Sequence, residues 1–288
     1  MILTSGTAIK NLLEKYTTKP FKGFGQNFLV NKGVLEKIIQ AANLSSADII
    51  LEIGPGVGTL TQELAKKAGK VYAIEKDKKM VEILKETLKD FKNVEIIQGD
   101  MLKFPISFNC KAITTSKASG SYFQFPIKKV VANLPYNIAS AVIKKLLESE
   151  KPPEEMILMV QKEVAQRICA KPPDMNLLAV SVQFYSKPEI LFYVSKNAFW
   201  PKPKVDGAVI RLKVENRKWK ADKDLFFKIV KAGFSHPRKQ ILNNLSKMLK
   251  SDKEKVEKWL SENNIHPTKR AETLSMENWL KLTKNYTI

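Results

Sequence analysis

Cysteine and histidine are scarce in this chain. Its 288 residues include two cysteines, Cys110 and Cys169, and two histidines, His236 and His266. Two cysteines are too few for a disulfide framework, and neither histidine lies near a cysteine cluster of the kind that binds zinc. The sequence therefore argues against a disulfide-stabilised protein and gives no reason to expect a metal site.

Long apolar runs are also missing, and so is the pattern of a secretory signal peptide. Because a helix needs about 20 mostly apolar residues to cross a bilayer, we expect no membrane span and a reducing, cytoplasmic location. A hydrophobic content of 44% and an aromatic content of 9% are ordinary for a folded protein. The length suits one large domain plus a small one.

Acidic residues are outnumbered by basic ones, 29 to 49, which leaves a net charge of +20. Such an excess attracts polyanions, above all nucleic acids. A lysine-rich proteome is the alternative explanation, since only five of the basic residues are arginine. Residues 201–250 contain 14 basic and 4 acidic residues, which is half of the whole excess. This concentration favours a binding face over a uniform bias.

Strand-like and helical patterns alternate over the first three-quarters of the chain. Five short, apolar, β-branched runs occur at residues 49–53, 71–75, 94–97, 130–132 and 156–160. Helical patterns separate them, for example at 80–88 and 141–147. Two further runs, 190–194 and 208–214, predict an antiparallel pair at one sheet edge. The fold class predicted is α/β, with a Rossmann-like, seven-stranded, mostly parallel sheet.

The pattern becomes helical from about residue 219. Candidate helices lie at residues 225–232, 240–249, 253–263 and 276–281. We therefore predict two domains, a larger one at residues 1–218 and a small C-terminal all-α domain at residues 219–288. Residues 108–126 are rich in Ser, Thr and Phe without a clear period, and they predict a long loop before the fourth strand.

Residues suited to a nucleoside cofactor follow three successive predicted strands. Gly54 and Gly56 let the backbone turn sharply and approach a ligand closely. Glu75 closes the second strand, where a carboxylate accepts hydrogen bonds from both ribose hydroxyls. Asp100 follows the third strand, near the expected position of an adenine amine. Together they predict one cofactor site at the carboxyl edge of the sheet. The alternative is that the glycines only form tight turns and Glu75 is a solvated strand end.

Glycine spacing separates two classes of cofactor. The dinucleotide fingerprint is G-x-G-x-x-G, whereas in Glu52–Gly58 the third glycine comes one residue sooner. An acid, Glu52, also stands two residues before Gly54. This pattern favours S-adenosylmethionine over NAD.

The tetrapeptide Asn133-Leu134-Pro135-Tyr136 ends the fourth predicted strand, beside the same crevice. The amide oxygen of Asn133 and the carbonyl of Leu134 are suited to accept both hydrogens of an adenine N6 amine. The nitrogen lone pair then points at the donor methyl. Pro135 fixes φ, and Tyr136 is placed to stack on the base. Catalysis of this kind rests on orientation and electrostatics. The alternative is a strand-to-helix turn with Tyr136 in the core.

These motifs resemble those of the ribosomal small-subunit (16S) rRNA adenine dimethyltransferases, over nearly the whole chain. Three further segments carry the resemblance: Phe24–Leu29 is similar to the family's cofactor-capping motif, Phe199–Asp206 to a loop beside the active site, and Arg238–Leu245 to a helix of the C-terminal domain. The resemblance implies S-adenosylmethionine-dependent dimethylation of N6 on two adjacent adenosines in a terminal hairpin loop of the rRNA.

The resemblance also implies partners and residue roles. The substrate would be small-subunit rRNA or an immature 30S-type ribosomal subunit, and we expect a monomer. The expected catalytic residues are Asn133, Leu134, Pro135, Tyr136 and Phe199, with Phe199 stacking on the flipped base opposite Tyr136. The expected cofactor-binding residues are Asn27, Leu29, Gly54, Gly56, Glu75, Asp100 and Asn133. The expected RNA-binding residues are Lys202, Lys204, Arg238 and Lys239. The resemblance further implies that residues 1–218 form the catalytic domain that binds S-adenosylmethionine and that residues 219–288 form an RNA-binding domain.

Other functions stay open at this point. Large-subunit (23S) rRNA adenine N6-methyltransferases of the macrolide-resistance type share the fold and chemistry, although residues 199–206 and 238–245 favour the small-subunit enzyme. A methyltransferase-like nucleic-acid-binding factor without turnover is a second alternative; the intact Glu75, Asp100 and Asn133 argue against it. A DNA adenine methyltransferase is less favoured, because the motifs outside the core resemble the rRNA family.

Overall fold

A computed structural model describes residues 3–104, 106–107, 123–124, 127–215 and 222–287. Its main sheet has seven strands, which are β1 Ile49–Ile53, β2 Lys70–Glu75, β3 Val94–Gln98, β4 Lys129–Asn133, β5 Glu155–Gln161, β6 Ser186–Val194 and β7 Gly207–Val214. Their order in the sheet is β3-β2-β1-β4-β5-β7-β6.

The strand pairing shows which strands of the sheet are parallel. Strands β1 to β5 pair in parallel, and β7 runs antiparallel to β5. The last two strands, β7 and β6, are neighbours at one edge of the sheet. The predicted fold class, a mostly parallel seven-stranded sheet, is confirmed. The carboxyl ends of β1 to β4 consequently share one edge, and strand order changes direction beside β1 and β4, where open α/β sheets bind ligands.

Eleven α-helices lie within the described ranges. They are α1 Gly6–Lys15, α2 Lys32–Ala42, α3 Thr59–Ala65, α4 Lys78–Thr87, α5 Ala139–Leu147, α6 Lys162–Ile168, α7 Leu177–Gln183, α8 Lys223–Gly233, α9 Ile241–Leu249, α10 Lys253–Glu262 and α11 Met276–Lys284. The predicted C-terminal helices are confirmed as α8 to α11. Short 3-10 turns occur at Lys22–Phe24, Lys196–Ala198 and Ala271–Thr273.

Two-residue strands form two further ladders. Phe28–Leu29 pairs antiparallel with Phe199–Trp200, and Ile106–Ser107 pairs in parallel with Phe123–Gln124. The predicted loop at 108–126 lies outside the described residues except for that last strand.

The chain divides into two compact units. The first contains Met1–Ala165 and Glu189–Val214, and the second contains Gln166–Pro188 and Glu215–Ile288. In the first, apolar residues of α2 and α3, such as Leu35 and Leu64, are buried with Ile50, Val71 and Val131 of the sheet. Central strands buried on both faces need the near-continuous apolar runs that the sequence has.

The second unit is built around its own hydrophobic core. Phe226, Trp259 and Trp279 are fully buried there. The close approach of α8 and α11 depends on Gly233, since a Cβ at this position would lie 2.4 Å from Cη2 of Trp279. A methyl group cannot be accommodated at that distance without moving the indole ring.

The boundary between the units differs from the predicted boundary at residues 218 and 219. Residues 166–188 belong to the second unit because Met175, Val180 and Phe184 are buried in its core with Phe226 and Trp279. Apolar periodicity shows that such a helix has a buried face, but it does not show which core buries it. The roles predicted for the two domains, catalysis and RNA binding, stay predictions.

Candidate active site

A glycine turn at the carboxyl end of β1 begins the site. Gly54 and Gly56 have φ values of 69° and 58°, in the left-handed region that favours glycine. A Cβ on Gly54 would lie 3.3 Å from the ring of Pro135, and one on Gly56 would lie 2.9 Å from the ring of Phe28. The positive φ values and the neighbouring rings both exclude a side chain at these two positions. Gly54 and Gly56 therefore line the cavity with backbone alone.

Glu75 ends β2 and points back at this turn. One carboxylate oxygen accepts a hydrogen bond from the backbone N–H of Gly56 at 3.1 Å, and the other accepts one from Asp77 N–H at 2.8 Å. Burial raises the pKa of Glu75, and these hydrogen bonds oppose the rise. Because each carboxylate oxygen has two lone pairs, both retain capacity for a further donor from the cavity that Glu75 lines.

Asp100 lies one residue beyond Gly99, just after β3, at the same edge. Oδ1 accepts from the backbone N–H of Leu102 at 3.0 Å, and Oδ2 pairs with Nζ of Lys76 at 2.9 Å. The Lys76 hydrogen bond lowers the pKa of Asp100, so the group is an anionic acceptor at neutral pH. Nζ of Lys76 also lies 5.4 Å from the ring centroid of Phe24.

Glu52 is a buried acid in the wall of the cavity. It is 1% exposed, and its Oε2 has no hydrogen-bond partner among the described residues. Burial raises the pKa of Glu52 to about 8, and the charge of Glu75 adds to the rise. The Glu52 carboxyl is therefore protonated at neutral pH, which avoids an unpaired buried charge.

The raised pKa of Glu52 predicts a pH dependence of stability. Glu52 binds its proton more tightly in the folded protein than in the unfolded chain. The free energy of unfolding of wild type should therefore fall, relative to that of Glu52→Gln, as the pH rises from 4.5 towards about 8. The difference in unfolding free energy between the two proteins changes by at most about 1.4 kcal/mol per pH unit, and it becomes constant above the pKa of Glu52 in the folded protein. Denaturant unfolding of both proteins across this pH range measures it. A difference that does not vary with pH would contradict the raised pKa.

The tetrapeptide Asn133–Tyr136 follows at the carboxyl end of β4. Nδ2 of Asn133 donates to the backbone carbonyl of Asn27 at 3.1 Å, and Nδ2 of Asn27 donates to the carbonyl of Gly25 at 3.0 Å. The amide of Asn133 is thereby fixed with its nitrogen towards the N-terminal segment. Its Oδ1 remains as an acceptor in the cavity that Asn133 lines.

The rest of the tetrapeptide is held by its neighbours. The N–H of Leu134 donates to the carbonyl of Met159 on β5 at 3.1 Å, while no described backbone N–H bonds to the Leu134 carbonyl. Pro135 packs against Gly54. Two acceptors, Asn133 Oδ1 and Leu134 O, are thus available in adjacent residues.

Tyr136 is partly buried and lines the same cavity. Its hydroxyl is buried without a hydrogen-bond partner in the described part of the chain. Burial, with a contribution from the charge of Asp206, raises the pKa of Tyr136 to about 12. The phenol is therefore neutral, and the ring is the part of the side chain that is suited to a planar ligand.

The predicted capping segment borders the cavity from the N-terminal side. Gln26 fixes it, with Nε2 donating to Asp77 at 2.8 Å and Oε1 accepting from the N–H of Phe21 at 2.8 Å. Asn27 and Leu29 line the cavity with Gly54, Gly56, Glu75, Asp100 and Asn133. All seven residues predicted to bind cofactor are therefore brought together in one cavity.

Comparison with known proteins identifies the family of this chain. The model of the family described as ribosomal RNA adenine dimethylase matches residues 18–287. The chain belongs to this family. A ribosomal RNA small subunit methyltransferase A from Dehalococcoides mccartyi is 42% identical over 280 residues, which are 96% of this chain and 92% of that protein. One from Clostridioides difficile is 40% identical over 285 residues, which are 98% of this chain and 96% of that protein.

Two solved structures are similar across most of the chain. A dimethyladenosine transferase from Plasmodium falciparum matches with a TM-score of 0.68 at 29% identity, over 88% of this chain and 94% of that one. The 23S rRNA methyltransferase ErmE matches with a TM-score of 0.67 at 26% identity, over 90% of this chain and 99% of that one. The chain is thus an enzyme of the methyltransferase class, with the fold of that class.

Phe199 is not placed as a cavity residue. It is 4% exposed and pairs with Leu29 in the short ladder, within the core of the first unit. It does approach the catalytic side, because a Cβ on Gly207 would lie 3.4 Å from Oη of Tyr136 and 3.7 Å from Cζ of Phe199. The predicted stacking of Phe199 on the target base stays a prediction, and it requires this ring to become accessible.

The predicted RNA-binding cations are exposed, two in each unit. Lys202 and Lys204 lie between the short ladder and β7 of the first unit. Arg238 and Lys239 of the second unit line a surface groove with Asn243, Lys247 and Lys253.

Among the described residues, no group of three or more His, Cys, Asp or Glu is arranged to bind a metal. No described helix is long and apolar enough to span a membrane.

Four residues of the site had no assigned role in the sequence. Phe24 and Gln26 of the capping segment contact Lys76 and Asp77, which follow β2. Asn137 donates to the carbonyl of Gly23, just before that segment, and Lys76 pairs with Asp100. Phe24 and Gln26 stood inside a segment predicted to cap the cofactor, and Lys76 follows Glu75 directly. Adjacency to a predicted ligand was the available signal for Lys76.

Proposed function

We propose that this enzyme dimethylates N6 of two adjacent adenosines in a hairpin loop near the 3′ end of small-subunit (16S) rRNA, with S-adenosylmethionine as the methyl donor. The orientation of Asn133 carries the proposal, because its Nδ2 is bonded to Asn27 and its Oδ1 is left as an acceptor. Family membership and relatives named small-subunit methyltransferase A support the rRNA substrate.

The cofactor-binding residues suit an adenosine-bearing sulfonium donor, which when bound supplies an electrophilic methyl group. Glu75 has free acceptor capacity for the ribose hydroxyls, and Asp100 is an anionic acceptor for the adenine amine. Gly54 and Gly56 line the cavity without side chains, which suits close approach of a ligand to the backbone. Asn27 and Leu29 border the cavity on the capping side.

The target amine would be oriented by two acceptors. Oδ1 of Asn133 and the carbonyl of Leu134 accept the two N6 hydrogens, which directs the nitrogen lone pair out of the ring plane. Tyr136 stacks on the base, a contact that contributes about 1–3 kcal/mol. No base need remove a proton before attack, since the amine becomes acidic once it carries the new methyl group. The rate gain comes from orientation and electrostatics.

The target base has to leave its stack to reach Asn133, which costs less for a loop adenosine than for a paired one.

We propose that Lys202, Lys204, Arg238 and Lys239 bind rRNA phosphates. Replacing all four with Gln should weaken RNA binding and reduce the slope of log affinity against log salt by about 2.8–3.6, since each lost phosphate contact removes about 0.7–0.9. Fluorescence titration at several salt concentrations measures this slope. An unchanged affinity and slope would disprove the assignment.

The decisive experiment is methyl mapping. The enzyme is incubated with labelled methyl donor and either unmethylated small subunits or large-subunit rRNA, and dimethyladenosine is then located. We expect label in the small-subunit rRNA. Label only in the large subunit would support the second candidate, a 23S enzyme, which the similarity to ErmE favours. Absence of label from both would support a binding factor without turnover.

We further propose that the enzyme acts as a monomer in the cytoplasm, on an immature 30S-type subunit during ribosome biogenesis. Sedimentation of the purified protein tests whether it is a monomer. Comparing labelling of naked 16S rRNA with labelling of partly assembled subunits tests whether the immature subunit is the substrate. Faster labelling of the naked RNA would contradict a subunit substrate.

A further inference from the structure

An aromatic ring is exposed near the end of β6. Tyr193 is 54% exposed, although both sequence neighbours, Phe192 and Val194, are more buried. Nζ of Lys162 lies 5.1 Å from the ring centroid of Tyr193. Lys162 is itself exposed and is the first residue after β5. Since about half of the Tyr193 surface meets solvent, this ring contributes little to the core of the first unit.

The backbone at Lys162 is bonded to the segment that adjoins Tyr136 of the catalytic tetrapeptide. The backbone N–H of Lys162 donates to the carbonyl of Asp206 at 2.9 Å, and the preceding residue, Gln161, pairs with Gly207. Gly207 is the residue whose added Cβ would lie 3.4 Å from Oη of Tyr136. Asp206 is also near enough to influence the pKa of Tyr136. Lys162, whose ammonium group lies over the Tyr193 ring, is therefore bonded to Asp206, and the neighbouring Gly207 lies next to the hydroxyl of the predicted base-stacking tyrosine.

The surrounding charge favours a polyanion. Lys202 and Lys204 are exposed on the segment that precedes Asp206, and no ion pair among the described residues involves either of them or Lys162. Two acids are close in the chain. Glu163 is exposed, and Asp206 accepts a hydrogen bond from the N–H of Lys196 at 2.9 Å. Exposed rings flanked by cations are what single-stranded nucleic acids bind, through base stacking and phosphate contact.

We propose that Tyr193 is a stacking platform for a nucleotide adjacent to the target adenosine, and that Lys162 contacts the phosphate of that nucleotide. This inference rests on the proposed function, because it places a second base of the same RNA loop beside the catalytic site. A second stacked base would hold the loop open while the target base lies against Tyr136. Tyr193 is accordingly a positioning residue and contacts neither donor nor reacting amine.

Binding of a fluorescent RNA tests the proposal. The probe is a hairpin with two adjacent loop adenosines and 2-aminopurine as the neighbouring loop base, whose emission falls when it stacks. We expect quenching by wild type and by Tyr193→Phe, which retains the ring. Tyr193→Ala should lose the quenching and bind the hairpin about tenfold more weakly, whereas Leu177→Ala, an exposed apolar residue of the second unit, should behave like wild type.

Turnover gives an independent readout. With unmethylated small subunits, Tyr193→Ala should raise KM while kcat and the affinity for S-adenosylhomocysteine stay within about twofold of wild type. Lys162→Met should reduce the salt slope of hairpin binding by about 0.7. Unchanged quenching and affinity in Tyr193→Ala would disprove the proposal that Tyr193 stacks on the neighbouring nucleotide. Because the hairpin assay needs no turnover, it decides this point even if methyl mapping disproves the proposed function.

Discussion

Asn133→Ala should lose about 10²–10³-fold in methyl-transfer rate while the protein still binds cofactor. The substitution removes the Oδ1 acceptor and also the Nδ2 donor that is bonded to the Asn27 carbonyl at 3.1 Å. Losses of this size are typical when one oriented hydrogen-bonding group is removed from a site that works by electrostatic preorganisation. Single-turnover transfer from labelled S-adenosylmethionine measures the rate, and calorimetry with S-adenosylhomocysteine measures cofactor binding.

A matched control is available on an exposed surface. Asn197→Ala changes the same residue type in the 3-10 turn Lys196–Ala198 of the first unit. This variant should turn over at the wild-type rate. Undiminished turnover by Asn133→Ala would disprove the mechanism, and equal losses in both variants would show a general effect of the substitution rather than loss of the acceptor.

Glu75→Ala should weaken cofactor binding by about 100-fold or more. It removes an acceptor with capacity for two ribose hydroxyls, and hydrogen bonds to charged groups contribute about 1.5–3 kcal/mol each. It also leaves the N–H groups of Gly56 and Asp77 without the carboxylate that they bond at 3.1 and 2.8 Å. The glycine turn would then lose part of its support as well as its ligand contact.

Calorimetry with S-adenosylhomocysteine measures this affinity. Glu82→Ala is the control, because Glu82 is exposed on α4 and forms an ion pair with Lys79 at 3.0 Å at the protein surface. Wild-type affinity is expected for the control. If Glu75→Ala bound the cofactor as tightly as the control does, Glu75 would not be a ribose ligand, and the cofactor would have to lie elsewhere in the cavity.

Strands and the cofactor cavity were predictable because local patterns determine them. Buried parallel strands require continuous apolar runs, so β1 to β5 are visible in the sequence. Gly54, Glu75, Asp100 and Asn133 each follow or end one of those strands, and parallel pairing brings strand ends to a common edge. The periodicity of α8 to α11 was visible for the same reason.

Contacts between distant segments were not predictable. Gln26 and Asp77 are 51 residues apart in the sequence, and nothing local to either residue indicates their hydrogen bond. The burial that protonates Glu52 and the burial of Phe199 are also properties of the assembled core. The sequence marked Glu52 as part of a motif and Phe199 as a base-stacking candidate, but exposure depends on neighbours that only the fold provides.

The path of the chain between the two units limits how the protein can be divided. The chain passes from one unit to the other after Ala165, after Pro188 and after Val214. A fragment that ends at residue 218 would keep α7, whose Ala179 and Val180 would then have lost Phe226 and Trp279 as core neighbours. We expect such a fragment to aggregate. A fragment of the first unit alone would have to omit residues 166–188, and with them the last residues of α6 and the first residues of the sheet strand β6.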